Sequence, residues 1–194
     1  MKLIFATHNR NKLEEVRKLV PDHIDLISLI EIGCFDEIPE TGKTIEQNAR
    51  IKADYVTEKF KLPCFADDTG LLVDALNEAP GVYSARYAGE EKDSGKNINK
   101  LLSELKDKND RSARFKTVIS LNINVETHLF EGIVEGEITN KKLGDKGFGY
   151  DPIFLPKGYD KTFAELPLKT KNQISHRGKA IQKLLLFLRE STSR

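Results

Sequence analysis

Cysteine is scarce in this chain: Cys34 and Cys64 stand alone, and the four histidines (His8, His23, His128 and His176) are scattered. Neither a disulfide framework nor a zinc cluster is built from so few, dispersed ligands. A reducing cytoplasm is therefore the expected setting. No apolar run approaches the ~20 residues that span a bilayer, and the first residues lead into a strand without signal-peptide character. Excess charge is missing too, since 31 basic residues face 30 acidic ones for a net charge of +1. That balance argues against a broad electrostatic footprint for nucleic acid or membrane, so an anionic ligand must be met by local charges. Repeats, low-complexity tracts and linkers are also lacking. At 194 residues, the simplest reading is one domain spanning 1–194 with a substantial core of its own.

What is present begins at the first residues. Lys2-Leu3-Ile4-Phe5-Ala6 reads as a short buried strand that enters Thr7-His8-Asn9-Arg10-Asn11-Lys12 and then an amphipathic helix bearing Leu13, Val16, Leu19 and Val20, closed by Pro21. Ile24 to Leu29 returns as a strand, completing a βαβ opening. A loop from Glu31 to Lys43 follows. Thr44 and Gln47 then form a capping box for a helix to about Phe60, with Ala49, Ala53, Val56 and Phe60 on its core face and Asn48, Lys52 and Tyr55 on another. Pro63 to Ala66 reads as a buried strand that empties into Asp67-Asp68-Thr69-Gly70. A helix is expected from about Asp93 to Lys106, then two long alternating strands, Ala113 to Val125 and His128 to Thr139, joined as an antiparallel hairpin. Ile153 to Leu155 is a last short strand, and one closing helix is expected from about Asn172 to Arg189. The fold class is α/β with a mixed sheet.

Four segments carry chemistry. The strand-to-helix turn at Thr7 to Lys12 offers backbone N–H groups at a helix N-terminus, with donors on Thr7, Asn9 and Lys12 that suit phosphate oxygens. It has none of the glycines of a P-loop or a dinucleotide fingerprint. Asp67-Asp68-Thr69-Gly70 places two acids at a strand end, where open α/β sheets bind ligands. Asp68 with a second acid, Glu37 or Glu40, suits Mg²⁺, which takes few protein carboxylates and completes its shell with water and phosphate oxygens. Phe148-Gly149-Tyr150-Asp151-Pro152 pairs two aromatics with a glycine, a composition fit for stacking and edge-reading a planar base. Lys171 with Ser175-His176-Arg177-Gly178 gathers donors at the expected first turn of the closing helix.

Taken in order with Pro80-Gly81-Val82-Tyr83-Ser84-Ala85-Arg86-Tyr87, these segments closely resemble the inosine/xanthosine triphosphate pyrophosphatase family over essentially the whole chain. The resemblance implies a mixed, twisted sheet with flanking helices, two lobes around a deep substrate groove, and a homodimer. It implies hydrolysis of ITP, dITP and XTP to the monophosphate and pyrophosphate with one Mg²⁺ per subunit. By position it makes Thr7, His8, Asn9, Arg10, Asn11 and Lys12 the triphosphate cradle. Glu40 and Asp68 become the metal ligands, Asp68 also the base that prepares water, and Lys52 a catalytic lysine facing phosphate. Thr69 would contact substrate, Phe148, Gly149, Tyr150 and Asp151 would line the base pocket, and Lys171, His176 and Arg177 would complete base recognition. Bond cleavage at phosphorus needs charge neutralisation and an aligned water, so the lack of a Ser-His-Asp or Cys-His constellation is no obstacle. Alternatives with the same residues are a pyrophosphatase for other damaged triphosphates, a nucleotide-binding module without turnover and, last, a nucleic-acid binder.

Overall fold

The computed structural model describes residues 1–191. In chain order the elements are β1 (Lys2–Phe5), α1 (Arg10–Arg17), β2 (Asp25–Ser28), α2 (Ile45–Phe60), β3 (Cys64–Val73), β4 (Pro80–Gly81), α3 (Ser94–Glu104), β5 (Ser112–Ile123), β6 (Glu126–Ile138), β7 (Phe154–Pro156), α4 (Leu168–Ile174) and α5 (His176–Ser191). The strand order is β2-β1-β3-β5-β6-β7, with β4 paired to β3. The sheet is mixed: β1 runs parallel to β2 and β3, whereas β4 is antiparallel to β3 and β7 to β6. The chain forms two compact units. The first holds Met1–Asp68, Thr117–Gly132 and the segment from Arg177, and the second holds Thr69–Lys116 and Ile133–His176.

In the first unit, β1 is buried on both faces, as parallel strands covered by helices are. Its period of two divides the core. Leu3 and Phe5 join Val16, Phe65, Ile119 and Leu121 beneath Ile181, Leu184 and Leu188 of α5, and the Phe5 and Phe65 rings stack at 4.6 Å. Ile4 and Ala6 point the other way, to Leu29, Cys34, Ile38 and the α2 residues Ala53 and Val56. Thr44 caps α2 by accepting from the Gln47 amide at 3.2 Å, while the Gln47 carboxamide accepts from the Lys43 amide at 2.7 Å. The expected box therefore closes one residue earlier than the motif prescribes. The β5 to β6 connection is two residues, Asn124 and Val125, both at positive φ, a turn whose twist matches its flanking strands.

In the second unit, Leu71 and Val73 of β3 pack with Ile98 and Leu101 of α3, with Leu105 just beyond it, and with Phe115, Phe154 and Phe163. Asp93 caps α3, accepting from the Lys96 amide at 2.9 Å. Buried Asn97 braces the preceding turn, accepting from the Ala88 amide and donating to the Ala85 carbonyl.

Two expectations need correction. Asp67-Asp68-Thr69-Gly70 does not stand at a strand end but in the interior of the ten-residue β3. The pairing of β1 with β3 runs through Ile4↔Cys64 and Phe5↔Phe65, so the acids lie just past the carboxyl end of β1 while their own strand continues. The single closing helix is two. Ser175 is extended (φ −68°, ψ 157°), its amide closes α4 on the Lys171 carbonyl at 2.8 Å, and α5 starts afresh at His176. Serine competes with the helix for its own backbone bonds, which makes it a poor interior residue at such a junction. Lys171 thus stands in the last turn of α4, and only His176 and Arg177 open α5.

Candidate active site

The first unit concentrates charge where β1 ends. The Asn9 side chain caps α1 by accepting from the Lys12 amide at 3.1 Å, and the Thr7 hydroxyl accepts from the Asn9 amide at 3.1 Å. The polar run of this turn therefore shapes the turn itself, leaving His8, Asn9, Arg10 and Asn11 exposed. Lys12, one turn into the helix, instead reaches inward and donates to Asp67 at 2.9 Å. Asp67 also accepts from the Arg177 guanidinium at 3.0 Å, and Arg177 spans to Glu15 of α1 at 2.5 Å. This is a buried, four-member network. Burial tends to raise the Asp67 carboxyl, but the positive charges of Lys12 and Arg177 more than reverse it and hold the group well below the usual carboxylate range. Burial dominates the Lys12 ammonium and lowers it, with Asp67 opposing.

Next to this network stands a second. Lys52 of α2, buried, donates to Glu40 at 2.6 Å and to Asp68 at 3.2 Å. A helical lysine is usually solvated; this one is drawn inward because two carboxylates meet it. Burial alone would lower Lys52, and Asp68 and Glu40 outweigh that, so its ammonium is held more firmly than an ordinary lysine's. Asp68 behaves oppositely to its neighbour. Burial raises its carboxyl, and Lys52 and Lys12 offset only part of the rise. Its Oδ2 is buried and has no hydrogen-bond partner. Between the two networks, four carboxylates (Glu15, Glu40, Asp67, Asp68) face three cations (Lys12, Lys52, Arg177).

An orphaned carboxylate oxygen in a pair of acids is the donor set that suits a hard divalent cation, and no third His, Cys, Asp or Glu gathers with them among the described residues. That composition fits Mg²⁺ better than zinc or calcium, which need more protein ligands. Of the two acids left open by the loop, Glu40 is the one joined to Lys52.

The second unit carries the aromatic loop. Asp151, buried, accepts from the Phe148 amide at 2.8 Å and from Lys171 at 2.7 Å. The Lys171 ammonium lies 5.2 Å from the centre of the half-exposed Phe148 ring. Gly147 and Gly149 take positive φ (74° and 61°), and a Cβ on Gly147 would meet Asp151 Oδ2 at 2.0 Å, so only glycine lets the loop close on this carboxylate. Tyr150 departs from the stacking role expected of it. Its ring is part of the core and its hydroxyl donates to the Ser84 carbonyl at 2.9 Å. His176 is buried with its ring stacked on Phe115 at 4.5 Å. Thr69, partly exposed, follows Asp68 along β3 and belongs to this unit.

The structure therefore brings Lys12, Lys52, Glu40 and Asp68 together in the first unit and Phe148, Asp151 and Lys171 together in the second. Arg177, expected with Lys171 and His176, joins Asp67 and Glu15 in the first. Glu15 was not among the expected residues. Its spacing of three from Lys12 places both on one face of α1, a signal visible only once Lys12 is known to point inward.

Comparison with known proteins places the chain in a family. A model of the Ham1 family matches residues 3–187. A dITP/XTP pyrophosphatase from Flavobacterium johnsoniae is 59% identical over 188 residues, 97% of this chain and 98% of that protein. One of the same name from Bacillus subtilis is 50% identical over 189 residues, 95% of this chain and 96% of its own length. Among solved structures, the Staphylococcus aureus Ham1 protein superposes with a TM-score of 0.90 at 43% identity, covering 98% of this chain and all of that one. The chain belongs to the Ham1 family.

Proposed function

We propose that this protein hydrolyses non-standard purine nucleoside triphosphates (ITP, dITP and XTP) to the monophosphate and pyrophosphate, removing damaged purines from the nucleotide pool. The relatives named dITP/XTP pyrophosphatase along nearly the whole chain support this reading. The single observation that carries it in the structure is the buried Asp68 carboxylate, with one oxygen on Lys52 and the other without a partner, paired to Glu40.

In this reading the α1 turn (Thr7, His8, Asn9, Arg10, Asn11) and Lys12 take the triphosphate, the exposed side chains of the turn outermost. Glu40 and Asp68 hold one Mg²⁺, which when bound neutralises phosphate oxygens and lowers the barrier to attack. Asp68 orients a water toward the α-phosphorus and accepts its proton, a role helped by a carboxyl raised above the usual range. The new P–O bond forms as the bond from the α-phosphorus to the bridging oxygen breaks, and pyrophosphate leaves. Lys52 stands against the charge developing on the transferred group. Once phosphate takes Lys12, Arg177 remains on Asp67, so that buried carboxylate is never left uncompensated.

In the second unit, Thr69, Phe148, Gly149, Asp151, Lys171 and His176 serve the nucleoside. Fixed donors suit the six-keto group of hypoxanthine and xanthine, whereas adenine presents a donor there and leaves them unpaired. Tyr150 supports that loop from the core. The family resemblance further supports a homodimer, a cytoplasmic setting and one functional domain over residues 1–194; no described helix is long and apolar enough to cross a membrane. Sedimentation velocity reads the oligomer directly.

The experiment is turnover of dITP, XTP, ATP and GTP with Mg²⁺, separating pyrophosphate from single phosphate. Monophosphate plus pyrophosphate from dITP and XTP, with ATP and GTP nearly untouched, is expected. Stepwise release of single phosphates would place the water at the wrong phosphorus.

A further inference from the structure

The loop that brings Glu40 to Asp68 is gripped along its length by one stripe of α2. Lys59 and Tyr55 both donate to the Asp36 carboxylate, Tyr55 at 2.6 Å. Lys52 donates to Glu40 at 2.6 Å, and Asn48 accepts from the Gly42 amide through Oδ1 at 2.8 Å. Asn48, Lys52, Tyr55 and Lys59 recur at the spacing that keeps residues on one helix face. The loop therefore runs antiparallel to the helix. From Asn48 the helix rises about 10 Å to Tyr55 and about 16 Å to Lys59, a span within the ~20 Å that the six residue steps from Asp36 to Gly42 can reach.

The grips differ in kind. Lys52 holds Glu40 through the same charges that the proposed reaction recruits, so this grip changes as the site fills. The outer two do not. Asn48 is fully buried, and a Cβ on Gly42 would lie 2.6 Å from its Oδ1, so glycine is what lets the loop amide seat there. Asp36 is fixed at the other end, where its backbone carbonyl also lies 2.9 Å from the His8 ring nitrogen. Ile38, between the clamps, is buried in the α2-side core.

We infer that Asp36 and Asn48 are positioning residues: they clamp the loop at both ends so that Glu40 stays opposite Asp68 when Lys52 turns from it, and thereby set the affinity for the divalent cation. This rests on the proposed metal pair, and the test separates the two. Mn²⁺ binding to the intact protein without nucleotide is measured by calorimetry for the wild type and for Asp36→Ala, Asn48→Ala and Asn48→Asp, together with each melting temperature.

Each alanine variant loses hydrogen bonds that a fixed loop needs, so a roughly fivefold or greater rise in the Mn²⁺ Kd is expected. Turnover at saturating Mg²⁺ should stay within about twofold of the wild type in Asp36→Ala, and Asn48→Asp, which keeps an acceptor for the Gly42 amide, should recover the affinity. Exposed Asp36 keeps the test available if Asn48→Ala does not fold. A lowered melting temperature with unchanged Kd in the alanine variants would make the clamps merely structural and overturn the inference. Wild-type protein that takes up no Mn²⁺ would also overturn it, whether or not dITP is hydrolysed.

Discussion

Asp68→Asn separates chemistry from folding more cleanly than any other substitution at the site. In the folded protein the Asp68 carboxyl is raised, because burial disfavours its charge more than Lys52 and Lys12 favour it. A neutral side chain of the same shape is therefore well accommodated. Asparagine Oδ1 can still accept from Lys52, which keeps Glu40 at 2.6 Å, and the amide nitrogen takes the place of an oxygen that has no partner. The weakened ionic bond and the relieved burial of charge oppose each other, leaving a stability change of about 1 kcal/mol in either direction. For a chain of this size that is a shift of roughly 2–4 °C in melting temperature. Activity has no such compensation. The variant loses one of two metal carboxylates and the group that accepts the water's proton, and the proton transfer alone is worth about 10²–10⁴-fold. A drop of at least about 10³ in dITP turnover is expected when metal binding is lost as well. Pyrophosphate release and calorimetric melting on the same preparation check both halves. Activity above about a tenth of wild type would remove Asp68 from the chemistry, and a melting temperature lower by more than about 10 °C would show that its ionised form holds the fold.

Three other perturbations follow from the buried charges and the loop. Arg177→Met removes the cation shared by Asp67 and Glu15 and should destabilise by about 3–5 kcal/mol, read as a lower urea midpoint; a change within about 0.5 kcal/mol would mean the network contributes nothing net. Folded Asp67 stays ionised well below the usual range while unfolded Asp67 takes a proton near ~3.9, so the stability it contributes is complete above that pH and falls as pH drops below about 4. Urea midpoints compared at pH 5 and pH 3 test the sign, and equal values would contradict it. Gly147→Ala forces a positive φ on alanine and drives its Cβ into Asp151, so a loss of about 1–3 kcal/mol is expected, with a higher KM for dITP because Asp151 carries Lys171. Unchanged KM and melting temperature would show that the loop closes some other way.

Local order along the chain was written in the sequence. The continuous apolar run Leu3-Ile4-Phe5-Ala6, the Thr44 cap, and the apolar spacing of α2, α3 and α5 are each decided by neighbours a few residues away, so the elements and much of the mixed sheet are legible there. The ordered motifs carried the family, because each keeps its residue types wherever the chain places them. What could not be read is where charge goes. Asp67-Asp68-Thr69-Gly70 has a turn's composition and a strand's conformation, since β1 stops beside it while β3 continues. Ser175 divides what looks like one helix.

Adjacent Asp67 and Asp68 are chemically identical in the sequence; only the tertiary structure surrounds one with Lys12 and Arg177 and leaves the other with an unpartnered oxygen, pushing their acidities in opposite directions. Likewise nothing local says that Arg177 meets Glu15, 162 positions away, or that Lys52 turns inward to Glu40 and Asp68. Secondary structure follows from short-range sterics and hydrogen bonding, whereas the acidity of a buried group is set by whichever distant charges the fold brings within a few ångströms.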